Sequence, residues 1–136
     1  MGQPVETPAH RPNPKRWPDR GVHAAWLGHA TVLLKIDGFT ILTDPVFSTR
    51  VGLNLGPLTL GLKRLVQPAL AMNQLPKIDL VLLSHAHMDH FDIPSLRALE
   101  RKGVEVVTAR ATSDLLRTER YGRVKEAGWG QTVRVG

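Results

Sequence analysis

"LVLLSHAHMDHF", residues 80–91, places four metal-ligating side chains at the end of an apolar run. The run "IDLVLLS" has the length and continuity of a strand buried on both faces. His85, His87, Asp89 and His90 then fall within six positions, taking half of the six histidines in the chain. On extended backbone the side chains at i and i+2 point the same way. His85 and His87 can therefore turn their imidazoles toward one point above the strand end. Asp89 and His90 come where the chain bends away, and face a second point close to the first. The spacing implies two neighbouring metal sites. Imidazole and carboxylate without sulfur suit Zn²⁺, one ion or two, with Mn²⁺ or Fe as alternatives. Neither site has a closed set of four ligands, so water can enter, an arrangement typical of catalytic rather than structural metals.

The elements around this stretch alternate. "VHAAWLGHATVLLKI" and "FTILTD" read as strands joined by Asp37-Gly38, a strong hairpin signal. From Pro45 to Pro76 glycine and proline punctuate the chain, which predicts a long connection near a functional opening, with a short helix over "LGLKRLVQPAL". After the histidines, Asp92 caps a predicted helix over "IPSLRALERKG", with Pro94 in its first turn and Gly103 as its stop. "VEVVTA" is the next strand, Thr112 or Ser113 opens a second helix over "DLLRTERYG", and "RVKEAGWGQTVRVG" holds one or two further strands. A hairpin followed by alternating strands and helices predicts an α/β fold with a mixed sheet.

With 136 residues there is room for one domain with a core. The first twenty are a polar, proline-rich extension, and residues 21–136 form the predicted domain. No apolar signal segment and no eighteen-residue apolar run occurs, and cysteine is absent. These features fit a reducing, cytoplasmic location and give no transmembrane segment. The net charge of +6 fits phosphate-bearing partners, but solvated surface charge is its commoner cause. Nucleic acid ranks last as a partner, since Tyr121 is the sole tyrosine and basic residues are not interleaved with aromatics.

The cluster from His85 to His90 resembles the H-x-H-x-D-H signature of the metallo-β-lactamase fold hydrolases. Upstream, "WLGHATVLLKIDGFTILTDPVFS" is similar to the start of the branch holding N-acyl-phosphatidylethanolamine phospholipase D-like and ascorbate-6-phosphate lactonase-like proteins. The resemblance implies an αββα sandwich, of which this chain matches the N-terminal half, with helices on one face of a mixed sheet. It implies that His85 and His87 hold one metal and Asp89 and His90 the other. Asp44 matches a buried carboxylate that orients the histidine loop, and His29 matches a histidine that lines the same cavity without ligating. The family completes its sites with a later histidine, a bridging aspartate and a last histidine. No histidine follows His90 here, so the domain is expected to be incomplete at its C-terminus, either a truncated product or a piece of a larger protein.

The leading function is accordingly a metal-dependent hydrolase working through metal-activated water at a binuclear site, with Asp89 helping to orient that water. Its substrate would be anionic, a small molecule or a phospholipid-type phosphodiester, or a phosphorylated lactone. The alternative is a metal-binding but inactive fragment or interaction module. In either case an uncovered sheet face predicts self-association.

Overall fold

A computed structural model describes residues 4–55 and 57–136. Its sequence-local units are two turns. The strands β1 (Val22–Gly28) and β2 (Thr31–Ile36) are antiparallel, as are β2 and β3 (Phe39–Thr43). Asp37 and Gly38 join the latter pair with φ of 46° and 87°. Positive φ at both central positions is the requirement of a type I′ turn, which is why Asp-Gly stands there.

Beyond β3 the chain leaves the sheet and returns as β6 (Leu80–Leu82), parallel to β3, followed by β7 (Glu105–Ala109) and β8 (Arg123–Ala127), also parallel. The sheet order is β1-β2-β3-β6-β7-β8. Its mixed character is the one expected. One register row, Ala25, Leu33, Leu42, Val81, Val106 and Val124, crosses all six strands on a single face. Against it packs α1 (Ile93–Ala98) through Leu96, joined by Leu99, Leu116 and Tyr121. Leu33, Leu42 and Val81 are fully inaccessible. The core thus lies between one sheet face and a helical layer.

Three expectations need correction. The segment "LGLKRLVQPAL" is no helix: β4 (Arg50–Leu55) and β5 (Leu58–Lys63) pair antiparallel as a separate two-stranded sheet. Leu58, Leu60 and Leu62 repeat with period two, which is a strand pattern. A Cβ added to Gly52 would sit 2.1 Å from the Leu60 carbonyl oxygen, and one on Gly61 2.0 Å from that of Val51. The two glycines therefore permit the close approach of these strands.

The helix at Asp92 forms, with the carboxylate accepting the Ser95 N–H at 3.2 Å, but it ends at Ala98 and not near Gly103. The buried Tyr121 hydroxyl donates to the Leu96 carbonyl at 2.6 Å. That carbonyl would otherwise take the Glu100 N–H, which turns to Arg97 instead.

The second helix is replaced by one-turn 3-10 segments at Ser113–Leu115 and Thr118–Arg120. Glu126 on β8 accepts the N–H groups of Ala111, Thr112 and Ser113, and Leu116 dips into the core on extended backbone. The extended backbone at Leu116 breaks helical continuity. Of the strands expected in residues 123–136, β8 forms, and the residues after Ala127 are irregular. The N-terminal extension packs on the domain through a Glu6–Val66 bridge, the Asp19–Lys35 ion pair and Trp17 against the core.

Candidate metal centre

The histidine loop begins where β6 ends, at the carboxyl edge of the central strands. β3 ends beside it, so Asp44 reaches the same place: the Asp44 N–H donates to the Leu82 carbonyl at 2.9 Å. Asp44 adopts φ of 35° and His29, in the turn between β1 and β2, φ of 49°. Left-handed backbone at non-glycine residues is costly and tends to gather at functional sites. Thr31 holds the first of these turns, donating its hydroxyl to the Asp44 carbonyl at 2.8 Å and accepting the Val46 N–H.

Asp44 is buried and acts as an acceptor hub. Its Oδ1 accepts the Ser84 N–H at 2.8 Å, and its Oδ2 lies 2.7 Å from Ser84 Oγ and 2.9 Å from His90 Nδ1. Ser84 has a single hydroxyl proton. Donating it to Asp44, Ser84 Oγ accepts from His85 Nδ1 at 2.8 Å. Both His85 and His90 are thereby fixed as Nδ1–H tautomers, and each keeps its Nε2 lone pair for another partner. This is how a carboxylate commonly prepares a ligating histidine.

The rings converge. The centroids of His85 and His90 are 4.1 Å apart, those of His85 and His87 4.7 Å, and those of His29 and His90 5.6 Å. Two donor sets result, His29 with Asp89 and His90, and His85 with His87 and Asp89, the donor atoms in each lying within 4.8 Å of one another. Asp89 belongs to both. Its Oδ2 is 3.2 Å from His29 Nε2 and 3.5 Å from His90 Nε2. Partial burial opposes its charge, yet the His29 hydrogen bond, its own backbone N–H and the nearby His90 hold the carboxyl below the ordinary carboxylate range.

The six residues singled out by sequence thus meet in one place. Two features were missed. His29, expected along the cavity wall, also hydrogen-bonds Asp89, because the β1–β2 turn carries it there from 60 positions away. Ser84 links Asp44 to His85, a role that only its position directly before the cluster could have signalled. Trp26 steadies the turn by donating its indole N–H to the His29 carbonyl at 2.7 Å.

Beside the centre lies a cavity of about 840 Å³, whose lining includes Trp26, Leu62, Leu65 and Val66 together with His29 and Asp89. Among the described residues no helix is long and apolar enough to cross a membrane.

Comparison with known proteins places this geometry in a family. An uncharacterised protein of Mycobacterium tuberculosis is 40% identical over 94 residues, covering 68% of this chain and 24% of its own length. The mitochondrial N-acyl-phosphatidylethanolamine-hydrolyzing phospholipase D of Saccharomyces cerevisiae is 32% identical over 115 residues, covering 84% of this chain and 24% of its own. The chain therefore spans about a quarter of the length of these relatives. Among solved structures, CmlA, a diiron β-hydroxylase from Streptomyces venezuelae, superposes with a TM-score of 0.61 at 26% identity, covering 86% of this chain and 22% of that one. The model of the beta-lactamase superfamily domain matches residues 40–136, and the chain belongs to that family.

Proposed function

We propose that the chain holds one or two divalent metal ions, zinc first and manganese or iron as alternatives, and that the protein containing it is a hydrolase of phospholipid-type phosphodiesters or of related anionic esters and lactones. The observation that carries the metal is the face-to-face arrangement of His90 and Asp89. His90 spends its Nδ1 proton on Asp44, so its Nε2 lone pair looks at the Asp89 carboxylate across 3.5 Å. Such a pair calls for a cation between its members, a proton or a metal ion, and the wider set of converging donors suits a metal. The donor chemistry fits: imidazole nitrogen and carboxylate oxygen are borderline and hard ligands suited to zinc.

His85, His87 and Asp89 would hold one ion, and His29, Asp89 and His90 the other. The chemistry supplied there is Lewis-acid activation of water. Asp89, shared by both sets and 45% exposed, is placed to accept a hydrogen bond from the attacking water and orient it. Asp44 and Ser84 keep the rings of His85 and His90 turned outward. The phospholipid class is suggested by the name of the yeast relative and by the apolar lining of the neighbouring cavity. The lack of cysteine fits a cytoplasmic or other reducing setting.

Zinc titration with metal analysis tests the assignment. His85→Ala with His87→Ala should remove most of the binding, whereas equal zinc content in that variant and the parent would overturn the proposal. A second reading is a metal-binding module without turnover. It would be favoured by full zinc loading with no His85-dependent hydrolysis of a phosphodiester in the whole-length protein.

A further inference from the structure

The β4–β5 hairpin stands apart from the main sheet, and its sequence divides it into two unlike faces. Register sets Val51 opposite Leu62 and Leu55 opposite Leu58, with Leu60 on the same side. The other side carries Arg50, Gly52, Gly61 and Lys63. Leu55, Leu58, Leu60 and Leu62 are 50%, 56%, 52% and 84% exposed, and Leu65 and Val66 just beyond are 61% and 46% exposed. Single exposed leucines are ordinary. A contiguous row on one hairpin is an interaction surface, and a two-stranded hairpin is only marginally stable in water by itself.

Two further observations choose the partner. From Pro45 through Ile78 the sequence has no acidic residue and four basic ones, Arg50, Lys63, Arg64 and Lys77. Arg50 and Lys63 face each other across the open end of the hairpin, while Arg64, next along the chain, turns inward and donates to the Val46 and Val66 carbonyls. The leucine face is also continuous with the cavity beside the metal centre, because Val51, Leu62, Leu65 and Val66 line that cavity together with His29 and Asp89. An apolar face with Arg50 and Lys63 at its open end, and no acid within the hairpin itself, matches an anionic lipid surface. It matches a second copy of this chain poorly, since the same cationic segments would then be brought together.

We propose that the β4–β5 hairpin seats the chain on an anionic lipid bilayer, its leucines entering the interface, Arg50 and Lys63 reaching round its edge to headgroups, and the cavity mouth turned to the membrane. The inference rests on the hairpin and not on the metal chemistry, so it stands or falls separately from the hydrolase reading. A lipid leaving the bilayer would reach the cavity along apolar surface without crossing water.

Vesicle flotation tests it, using vesicles of phosphatidylcholine alone and vesicles with about one third phosphatidylglycerol. The parent should bind the anionic vesicles at least tenfold more tightly, and raising the salt should release it as surface charge is screened (roughly a 3 Å Debye length at 1 M). Leu60→Asp with Leu62→Asp should lose about tenfold or more of that binding. Lys63→Gln should lose about fivefold. Leu115→Asp, which changes an exposed leucine far from the hairpin, should leave it unchanged. An unaltered circular dichroism spectrum and urea midpoint in each variant certify the fold. The proposal is overturned if the parent floats with neither vesicle, if it binds neutral and anionic vesicles equally, or if the double variant binds as the parent does. It is equally overturned if the double variant changes only the elution volume on size exclusion, which would make a second copy the occupant.

Discussion

Asp44 shows how much one side chain can settle. Three hydrogen bonds converge on its carboxylate, two from Ser84 and one from His90. It touches no donor atom of the proposed metal sites other than through these neighbours. Asp44→Ala should therefore weaken zinc binding by about ten- to a hundredfold, the usual consequence of losing a carboxylate behind a ligating histidine. Asp44→Asn can still accept from Ser84 or His90 but not from all three donors, and should fall between parent and alanine variant in a zinc titration. Parent-like affinity in both would reduce Asp44 to a turn residue. The spacing of residues 85–90 exposed the loop donors because four ligating side chains crowd into six positions just beyond a buried strand. His29 could not be read this way, since its approach depends on how β1 and β2 fold back, a long-range matter that no local period records.

At the level of the elements, the contact between β8 and the loop before it carries a pH dependence. Three backbone N–H groups and the Ser113 side chain meet the Glu126 carboxylate, lowering its pKa from the ordinary 4.5 to about 2. A carboxyl depressed in the folded state adds stability that is complete above about pH 4.5 and is lost as pH falls from there toward 2. Urea midpoints measured across that window should fall in the parent, while Glu126→Gln should begin lower at neutral pH and respond less to acid. A parallel decline in both would remove this role from Glu126. The stretch "DLLRTERYG" fails as a helix because Leu116, on extended backbone, is drawn into the core. The hairpin at Asp37-Gly38 and the cap at Asp92 were legible because their signals are local. The β4–β5 pair was hidden by glycines, which suggested a loop but permit two backbones to approach.

Across the whole molecule the two faces of the main sheet differ. One is sealed by α1 and the core around Val81. The other presents Val22 opposite Ile36, 70% and 40% exposed, with Trp26 also 70% exposed farther along β1. Concentration-dependent association through this face is expected, and Val22→Lys with Ile36→Lys should shift the chain toward monomer in sedimentation velocity. Unchanged association would place the contact elsewhere. The six-stranded sheet also has a seam. Its hairpins are local, but β3 and β6 pair only after the chain between Thr43 and Leu80 has closed on itself, and Asp44 and Ser84, 40 residues apart, lie on opposite sides of that closure. Closing a loop costs conformational entropy before any contact repays it, so long-range parallel pairing is late and slow relative to hairpins. The histidine loop meets Asp44 and His29 only once this closure is made. An ion bound there would stabilise only the closed chain, so zinc should slow unfolding in stopped-flow experiments far more than it speeds refolding.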